Sequence, residues 1–122
     1  MKFSADSEKP IFLQLAEEIE EDILKGIFEE ESQVPSTTEV AVNFKINPAT
    51  ANRGVNMLVE EGIIYKKRGI GMFVATGARE KIIAKRKAAF YNDYVQPLLN
   101  ESKNLNLAIH EIIEMIERGY RK

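Results

Sequence analysis

The side chains best suited to chemistry lie in two short segments of the chain. Residues 47–53 read NPATANR, and residues 66–71 read KKRGIG. An asparagine amide can pair with the edge of adenine through two hydrogen bonds, and a guanidinium group can pair with guanine. Lysine and arginine also neutralise the charge of phosphates. Both segments therefore indicate a nucleic acid as the ligand.

Other kinds of chemistry find little support in the composition. The 122 residues include no cysteine and one histidine, His110, which excludes thiolate zinc sites, cysteine nucleophiles and histidine-rich metal clusters. No motif pairs a nucleophile with a base, and Gly69-Ile70-Gly71 is too short to cradle phosphates as nucleotide-binding loops do. The carboxylates between Glu17 and Asp22 are interpreted as a solvated helix face. We expect no enzyme activity, no cofactor and no metal.

Charge is distributed unevenly along the chain. Residues 1–34 carry ten acids against three bases, whereas residues 35–75 and 76–122 carry net charges of +2 and +3. The acidic first part predicts a surface that faces away from DNA. The sequence contains neither a signal-peptide pattern nor an apolar run long enough to span a membrane, so we expect a cytoplasmic protein that binds no membrane.

Hydrophobic spacing predicts the first helix. Ile11, Leu15, Ile19 and Ile23 recur every four residues, which predicts a helix over residues 10–25. Its polar side is expected to hold five acids, Glu17, Glu18, Glu20, Glu21 and Asp22.

Two further helices are predicted from capping signals. Ser36 and Glu39 have the spacing of a capping box and open a second helix of about two turns. Pro48 ends that helix, because the residue before a proline avoids helical backbone angles. Pro48 also starts a third helix, with Asn47 as its N-cap, and Gly62 ends it.

In the rest of the chain, the spacing of hydrophobic residues changes twice. Residues 63–65 and 72–74 are short β-prone runs around a basic tip with two glycines, which predicts a hairpin. Residues 78–103 return to helical spacing, and Pro97 is expected to kink or divide that helix. Residues 104–119 are predicted to form a last short helix.

This order of elements predicts a mainly α-helical fold with a small β-hairpin, the winged helix-turn-helix. We expect this DNA-binding domain over residues 1–76 and a helical dimerisation tail over residues 77–122. In such a fold the third helix enters the major groove of double-stranded DNA, and the hairpin touches the flanking backbone or minor groove. The same elements also fit an adaptor that binds a protein instead of DNA, so the pattern alone leaves both functions open.

Three stretches resemble the DNA-binding domain of GntR-type bacterial transcription regulators, namely PIFLQLAEEIEEDILKG, VPSTTEVAVNFKINPATANRGVNMLVEEGIIY and KKRGIGMFV. The resemblance covers residues 9–75, and the short two-helix tail resembles the YtrA-type subfamily. It implies a homodimeric repressor that acts on a (pseudo)palindromic operator, often that of a transporter operon. It identifies neither the operator sequence nor a small-molecule effector.

The resemblance and the residue types together predict the DNA contacts. These are Ser36, Thr37, Thr38, Asn47, Ala49, Thr50, Asn52, Arg53, Asn56, Lys66, Arg68, Gly69 and Gly71. The family usually has an arginine at the place of Thr38, and many members have one at the place of Asn52. Met72 replaces the family's usual threonine or serine, at a position expected to contact the DNA backbone.

The tail carries more apolar side chains than two short helices can hide from water. Burial against a second copy of the chain would cover them and would present two recognition helices to two half-sites. The residues expected to form this homodimer are Ile83, Phe90, Tyr94, Leu98, Ile109, Ile112, Ile113 and Ile116.

Overall fold

A computed structural model of the chain describes Phe3 and residues 8–122. The elements in this part are α1 Ile11–Leu24, β1 Gln33–Val34, α2 Thr37–Phe44, α3 Pro48–Glu60, β2 Ile64–Lys67, β3 Gly71–Val74, α4 Ala78–Phe90, α5 Gln96–Asn104 and α6 Ile109–Tyr120. This architecture confirms the predicted mainly helical fold with a small antiparallel sheet. Residues 1, 2 and 4–7, part of the segment predicted to lack a signal peptide, lie outside the described residues.

Helix α1 forms where the four-residue repeat predicts it. The carbonyl of Pro10 accepts hydrogen bonds from the backbone N–H groups of Leu13 and Gln14, both at 3.1 Å, and Gly26 ends the helix region with a φ of +80°. One prediction about this helix is wrong. Glu20, which was expected on the solvated side, is only 2% exposed, because the buried stripe of α1 is wider than a single residue per turn.

The core of the first part of the chain gathers apolar side chains from all of its elements. Its largest fully buried side chains are Leu15, Leu58, Ile63, Ile64, Ile82, Val55 and Val74. Burial of such side chains contributes about 1.5–3 kcal/mol each before the entropy of ordering is counted. The core therefore holds α1, α3 and the sheet in a fixed relation.

Gly54 allows α3 to approach α1 closely. A Cβ atom at this position would lie 2.7 Å from the backbone oxygen of Phe12 and 3.2 Å from Cδ2 of Leu15. No real Cβ atom tolerates the shorter of these distances, so only glycine fits here without moving a helix. The orientation of α3 against α1 is thus fixed by a backbone contact.

The sheet has three strands, one more than the predicted hairpin. Strand β3 lies between β1 and β2 and is antiparallel to both, with Gln33 opposite Phe73 and Phe73 opposite Tyr65. Strand β1 has two residues, too few to show an alternating pattern in the sequence. Met72, which stands where the family usually has threonine or serine, is buried, because its place in β3 faces the core together with Val34.

Two neighbouring carboxylates connect the sheet to the start of α4. Glu31 accepts hydrogen bonds from the hydroxyl of Tyr65 and from the amide and hydroxyl of Thr76, the latter two at 3.0 and 2.7 Å. Glu30 accepts one from the amide of Gly77 at 2.9 Å. A carboxylate beside the first amides of a helix also interacts favourably with the helix dipole. No pattern in the sequence predicts this network.

The helix predicted over residues 78–103 changes its winding before Pro97 and does not break at it. A π-helical turn, Tyr91–Val95, joins α4 to α5, and the amide of Gln96 donates to the carbonyl of Tyr91. Pro97 is the second residue of α5 and follows this turn directly, so the change of winding lies where the proline removes a helical hydrogen bond. The last helix begins at Ile109, later than the predicted residue 104, because the chain turns at Asn106 with a φ of +57°.

The chain divides into two compact units, Met1–Ile83 and Ala84–Lys122. The first unit extends beyond the domain boundary expected after residue 76, since the side chains of Ala78 and Ile82 lie in its core. We call the first unit the winged-helix unit and the second the tail unit.

Candidate nucleic-acid interface

Helix α3 begins as the capping signals predict. Oδ1 of Asn47 accepts a hydrogen bond of 2.7 Å from the amide of Ala49, and Pro48 occupies the first helical position. A proline there loses no hydrogen bond and already has a helical φ. Neighbouring residues, Asn47 and Pro48, therefore stabilise the start of α3.

The solvent side of α3 is a row of small and amide side chains. Ala49, Asn52 and Asn56 are exposed and lie three and four residues apart, on one side of the helix. The opposite side, which includes Ala51 and Val55, is buried. This row is free of large side chains, so the helix can approach a flat or grooved surface closely.

Arg53 flanks this row and lies on an aromatic ring from α1. Its guanidinium carbon is 3.9 Å from the centre of the Phe12 ring, and the side chain is exposed. An arginine stacked in this way keeps its five N–H donors at its edges, available to an acceptor. Arg53 was a predicted site residue. Phe12 was not, although it lies in the stretch PIFLQLAEEIEEDILKG, which resembles the family.

The three DNA contacts predicted at the start of α2 differ in their partners and in their exposure. Ser36 Oγ accepts from the amide of Glu39, and the Glu39 carboxylate accepts from the amide of Ser36, both at 3.1 Å, which confirms the capping box. The Thr37 hydroxyl lies 4.0 Å from the sulfur of Met72, towards the sheet. Thr38 is exposed. Of the three side chains, Thr38 has the freest access to solvent.

The wing, which we define as residues 64–74, has a tight basic tip. Gly69 and Gly71 both have positive φ angles, 77° and 145°. The side-chain amide of Gln33 donates to the carbonyl of Ile70 at 3.1 Å and lies so close to Gly71 that a Cβ atom there would clash with it. The prediction of a glycine-dependent hairpin is confirmed, and Gln33 is a supporting residue that the sequence analysis missed.

The three basic residues of the wing have different surroundings. Lys66 and Arg68 are exposed near the tip. The ammonium group of Lys67 lies 4.3 Å from the ring centre of Phe73 and 5.8 Å from that of Tyr65. Lys67 is thus held over an aromatic pair on the outer face of the sheet, while Lys66 and Arg68 can reach an external ligand.

The hydrogen bonds around Glu31 also shift two pKa values. Bonds from Tyr65 and Thr76 hold the pKa of the Glu31 carboxyl below its ordinary value. The same bond raises the pKa of the Tyr65 hydroxyl, because the ionised phenol could no longer donate to the carboxylate. The base of the wing is therefore joined to the start of α4 by a charge-assisted contact.

The predicted dimerisation residues are mostly exposed in the single chain. Tyr94 is 66% exposed and Ile109 73%, and the same holds to a lesser degree for Phe90, Leu98, Ile113 and Ile116. Ile112 differs, since it is buried, and Ile83 is half-buried within the winged-helix unit. The other six leave a large apolar area in contact with water.

Two other kinds of site find no support in the described residues. Over Phe3 and residues 8–122, no three His, Cys, Asp or Glu side chains gather closely enough to hold a metal ion. In the same part of the chain, no helix is both long and apolar enough to cross a bilayer.

Comparison with known proteins agrees with this geometry. Residues 12–74 match the model of the family described as bacterial regulatory proteins, gntR family. The chain is 26% identical to the transcriptional repressor YtrA of Bacillus subtilis over 91% of this chain and 85% of that protein.

Solved structures extend the likeness to the fold. A regulator of the GntR family from Bacteroides thetaiotaomicron shares 38% identity and a TM-score of 0.75, over 92% of this chain and 97% of that one. The AraR DNA-binding domain in complex with an operator shares 28% identity and a TM-score of 0.56, over 62% and 93%. Members of this family are transcriptional regulators, which confirms the prediction that the chain is not an enzyme. The chain belongs to the GntR family of bacterial transcription regulators.

Proposed function

We propose that the chain is a dimeric transcription repressor that binds a pseudopalindromic operator in double-stranded DNA. Helix α3 lies in the major groove, and the wing lies against the flanking backbone. The observation that carries this proposal is the exposed row of Ala49, Asn52 and Asn56 on a helix whose other side is fixed against α1. Small and amide side chains in such a row can reach the edges of bases.

The charge around this row favours DNA over a protein partner. Arg53 flanks the row, and the exposed Lys66 and Arg68 belong to the wing. Helix α1, by contrast, carries its acids from Glu17 onward. A ligand with a dense negative charge fits the basic side, and electrostatic attraction of this kind supplies most of the sequence-independent part of DNA affinity.

Relatives support the finer parts of the proposal. The operator bound by the AraR domain supports DNA as the ligand, and the likeness to the repressor YtrA supports repression as the outcome. The regulated genes that we propose are those of a transporter operon, as the resemblance implies.

The exposed apolar side chains of the tail unit support a homodimer. A second copy would cover Tyr94, Ile109 and their neighbours, and apolar burial yields about 25 cal/mol per Å² before the costs of association. Two-fold symmetry would then present two copies of α3 to two half-sites.

A filter-binding titration with genomic fragments tests the proposed function. Specific retention should fall steeply with added salt, since each neutralised phosphate contributes about 0.9 to the log–log slope. The double variant Asn52→Ala, Asn56→Ala should lose preference for the retained fragments. Lys25→Ala is the control. It removes a positive charge next to Glu21 at the end of α1 and should leave retention unchanged.

Two outcomes contradict the proposal. Absence of retention at low salt, with the chain folded, would favour a winged-helix adaptor that binds a protein. Retention that the double variant does not alter would mean that α3 does not read the bases.

A further inference from the structure

An open cleft lies between the start of α1 and the turn that joins α2 to α3. Its polar lining side chains are Lys45, Asn47, Thr50 and Arg53, and its apolar ones include Phe12. Two of these side chains are cations, two can form neutral hydrogen bonds, and none is a carboxylate. Such a lining favours an anion, although the chain as a whole carries a formal charge of −2.

Arg53 forms part of the wall of this cleft and stacks on an aromatic ring. Phe12 covers one face of its guanidinium at 3.9 Å from the ring centre. Among the described residues no carboxylate forms an ion pair with it. Stacking restricts a flexible side chain before any ligand arrives, so less conformational entropy is lost when its edge binds an oxygen.

Lys45 reaches the same cleft at the expense of backbone strain. It ends α2 with φ 53° and ψ 47°, the left-handed conformation that helix ends usually assign to glycine. A residue with a Cβ atom is strained there, and strained positions concentrate at functional sites. Lysine at this position adds a positive charge to the rim that glycine could not supply.

We propose that this cleft binds a phosphate of the DNA backbone, with Arg53 and Lys45 supplying the charge and Phe12 acting as a positioning residue for Arg53. The inference rests on the proposed DNA-binding function and adds to it an assignment. Arg53 contacts a phosphate rather than a base, and base recognition is left to the row of Ala49, Asn52 and Asn56.

The first test compares Arg53→Ala on two duplexes, an operator selected by the wild-type chain and a scrambled duplex of equal length. Affinity should fall by about 10-fold on both, by the same factor, because every sequence offers the same phosphate. The log–log slope against salt should become shallower by about 0.9 per half-site. A loss confined to the operator would show that Arg53 reads a base and would overturn the assignment.

Lys45→Gly separates binding from folding. The substitution should raise the Tm by about 4 °C, because the strain is relieved. It should also lower the affinity for both duplexes by about 3–10-fold, with a shallower salt slope. A higher Tm with unchanged affinity would exclude Lys45 from the cleft's function.

The role of Phe12 is tested by a double-mutant cycle. Phe12→Leu should lower DNA affinity by about 3-fold in the wild-type background and have no effect in the Arg53→Ala background, whereas Phe12→Tyr should retain the affinity. Equal losses in both backgrounds would mean that Phe12 supports only the fold. If the wild-type chain binds no DNA, the proposed function fails and this inference with it. If it binds and these variants behave like it, only this inference fails.

Discussion

At the scale of single residues, the structure separates side chains that face an external ligand from those that maintain the fold. The hydroxyl of Thr37, one of the predicted DNA contacts, lies 4.0 Å from the sulfur of Met72, between α2 and the sheet. Asn47 was expected to cap α3 and does so. Local capping can be predicted from a few neighbouring residues, whereas contacts between distant segments, such as Phe12 with Arg53, depend on packing that the sequence does not display.

Replacement of Thr38 by arginine tests whether the start of α2 lies against the DNA backbone. The residue is exposed at the start of α2, where the family's usual arginine would offer a charged fork. We expect Thr38→Arg to strengthen DNA binding by roughly 1–3 kcal/mol and to steepen the salt slope by about 0.9 per half-site. Fluorescence anisotropy over a range of salt concentrations measures both. Ile27→Arg adds the same charge to the exposed turn after α1 and should change neither quantity. An unchanged affinity of folded Thr38→Arg would place α2 away from the DNA backbone.

Glu31 links stability to pH. Its pKa is lowered by hydrogen bonds from Tyr65 and Thr76, so the folded state binds the proton more weakly than the unfolded chain. The stabilisation is therefore present above the ordinary pKa of 4.5 and is lost as the pH falls through the lower value of the folded protein. Glu31→Gln should lower the Tm at pH 7, and the difference from the wild type should shrink as the pH drops below the ordinary pKa of 4.5. A difference that is equal at pH 7 and pH 3 would contradict this account.

At the scale of elements, the helices and the hairpin of β2 and β3 follow predictable signals, whereas the third strand, β1, does not. Ser36, Glu39 and Pro48 set the starts of α2 and α3 through bonds to their own neighbours. Strand β1 exists only because β3 lies beside it, and the π-helical turn at Tyr91–Val95 leaves no clear trace in the hydrophobic spacing. Burial of Glu20 likewise depends on which elements pack around α1, which a helical period alone does not specify.

The close contact between α1 and α3 can be tested by substitution of Gly54, with Gly119 as the comparison. Gly54→Ala would place a Cβ atom 2.7 Å from a backbone oxygen of α1, and we expect a loss of about 1–3 kcal/mol in the free energy of unfolding. Gly119 lies in α6 with no atom within 4 Å of an added Cβ, so Gly119→Ala should stabilise its helix by up to about 1 kcal/mol. Urea denaturation measures both. A Gly54→Ala variant as stable as the wild type would mean that the two helices are not in close contact.

At the scale of the whole molecule, we propose that dimerisation through the tail unit sets the number of half-sites bound. The variant Ile113→Asp, Ile116→Asp places two charges on the exposed apolar side of α6 and should be monomeric in sedimentation velocity. It should also bind the operator at least about 10-fold more weakly, since linked half-sites reinforce each other. Glu114→Asp, Glu117→Asp, on the same helix, is the control and should remain dimeric. Dimeric sedimentation of the apolar-to-acid variant would exclude this surface from the interface.

Selection of bound sequences from a random DNA library tests whether two copies of α3 read two symmetric half-sites. We expect a two-fold symmetric motif whose half-sites are about 10–10.5 base pairs apart, or a multiple of that spacing, as two-fold related recognition helices on one face of the duplex require. The Asn52→Ala, Asn56→Ala variant should weaken the base preference in both half-sites equally. A library without enrichment, or an enriched motif that contains one asymmetric site, would contradict the account.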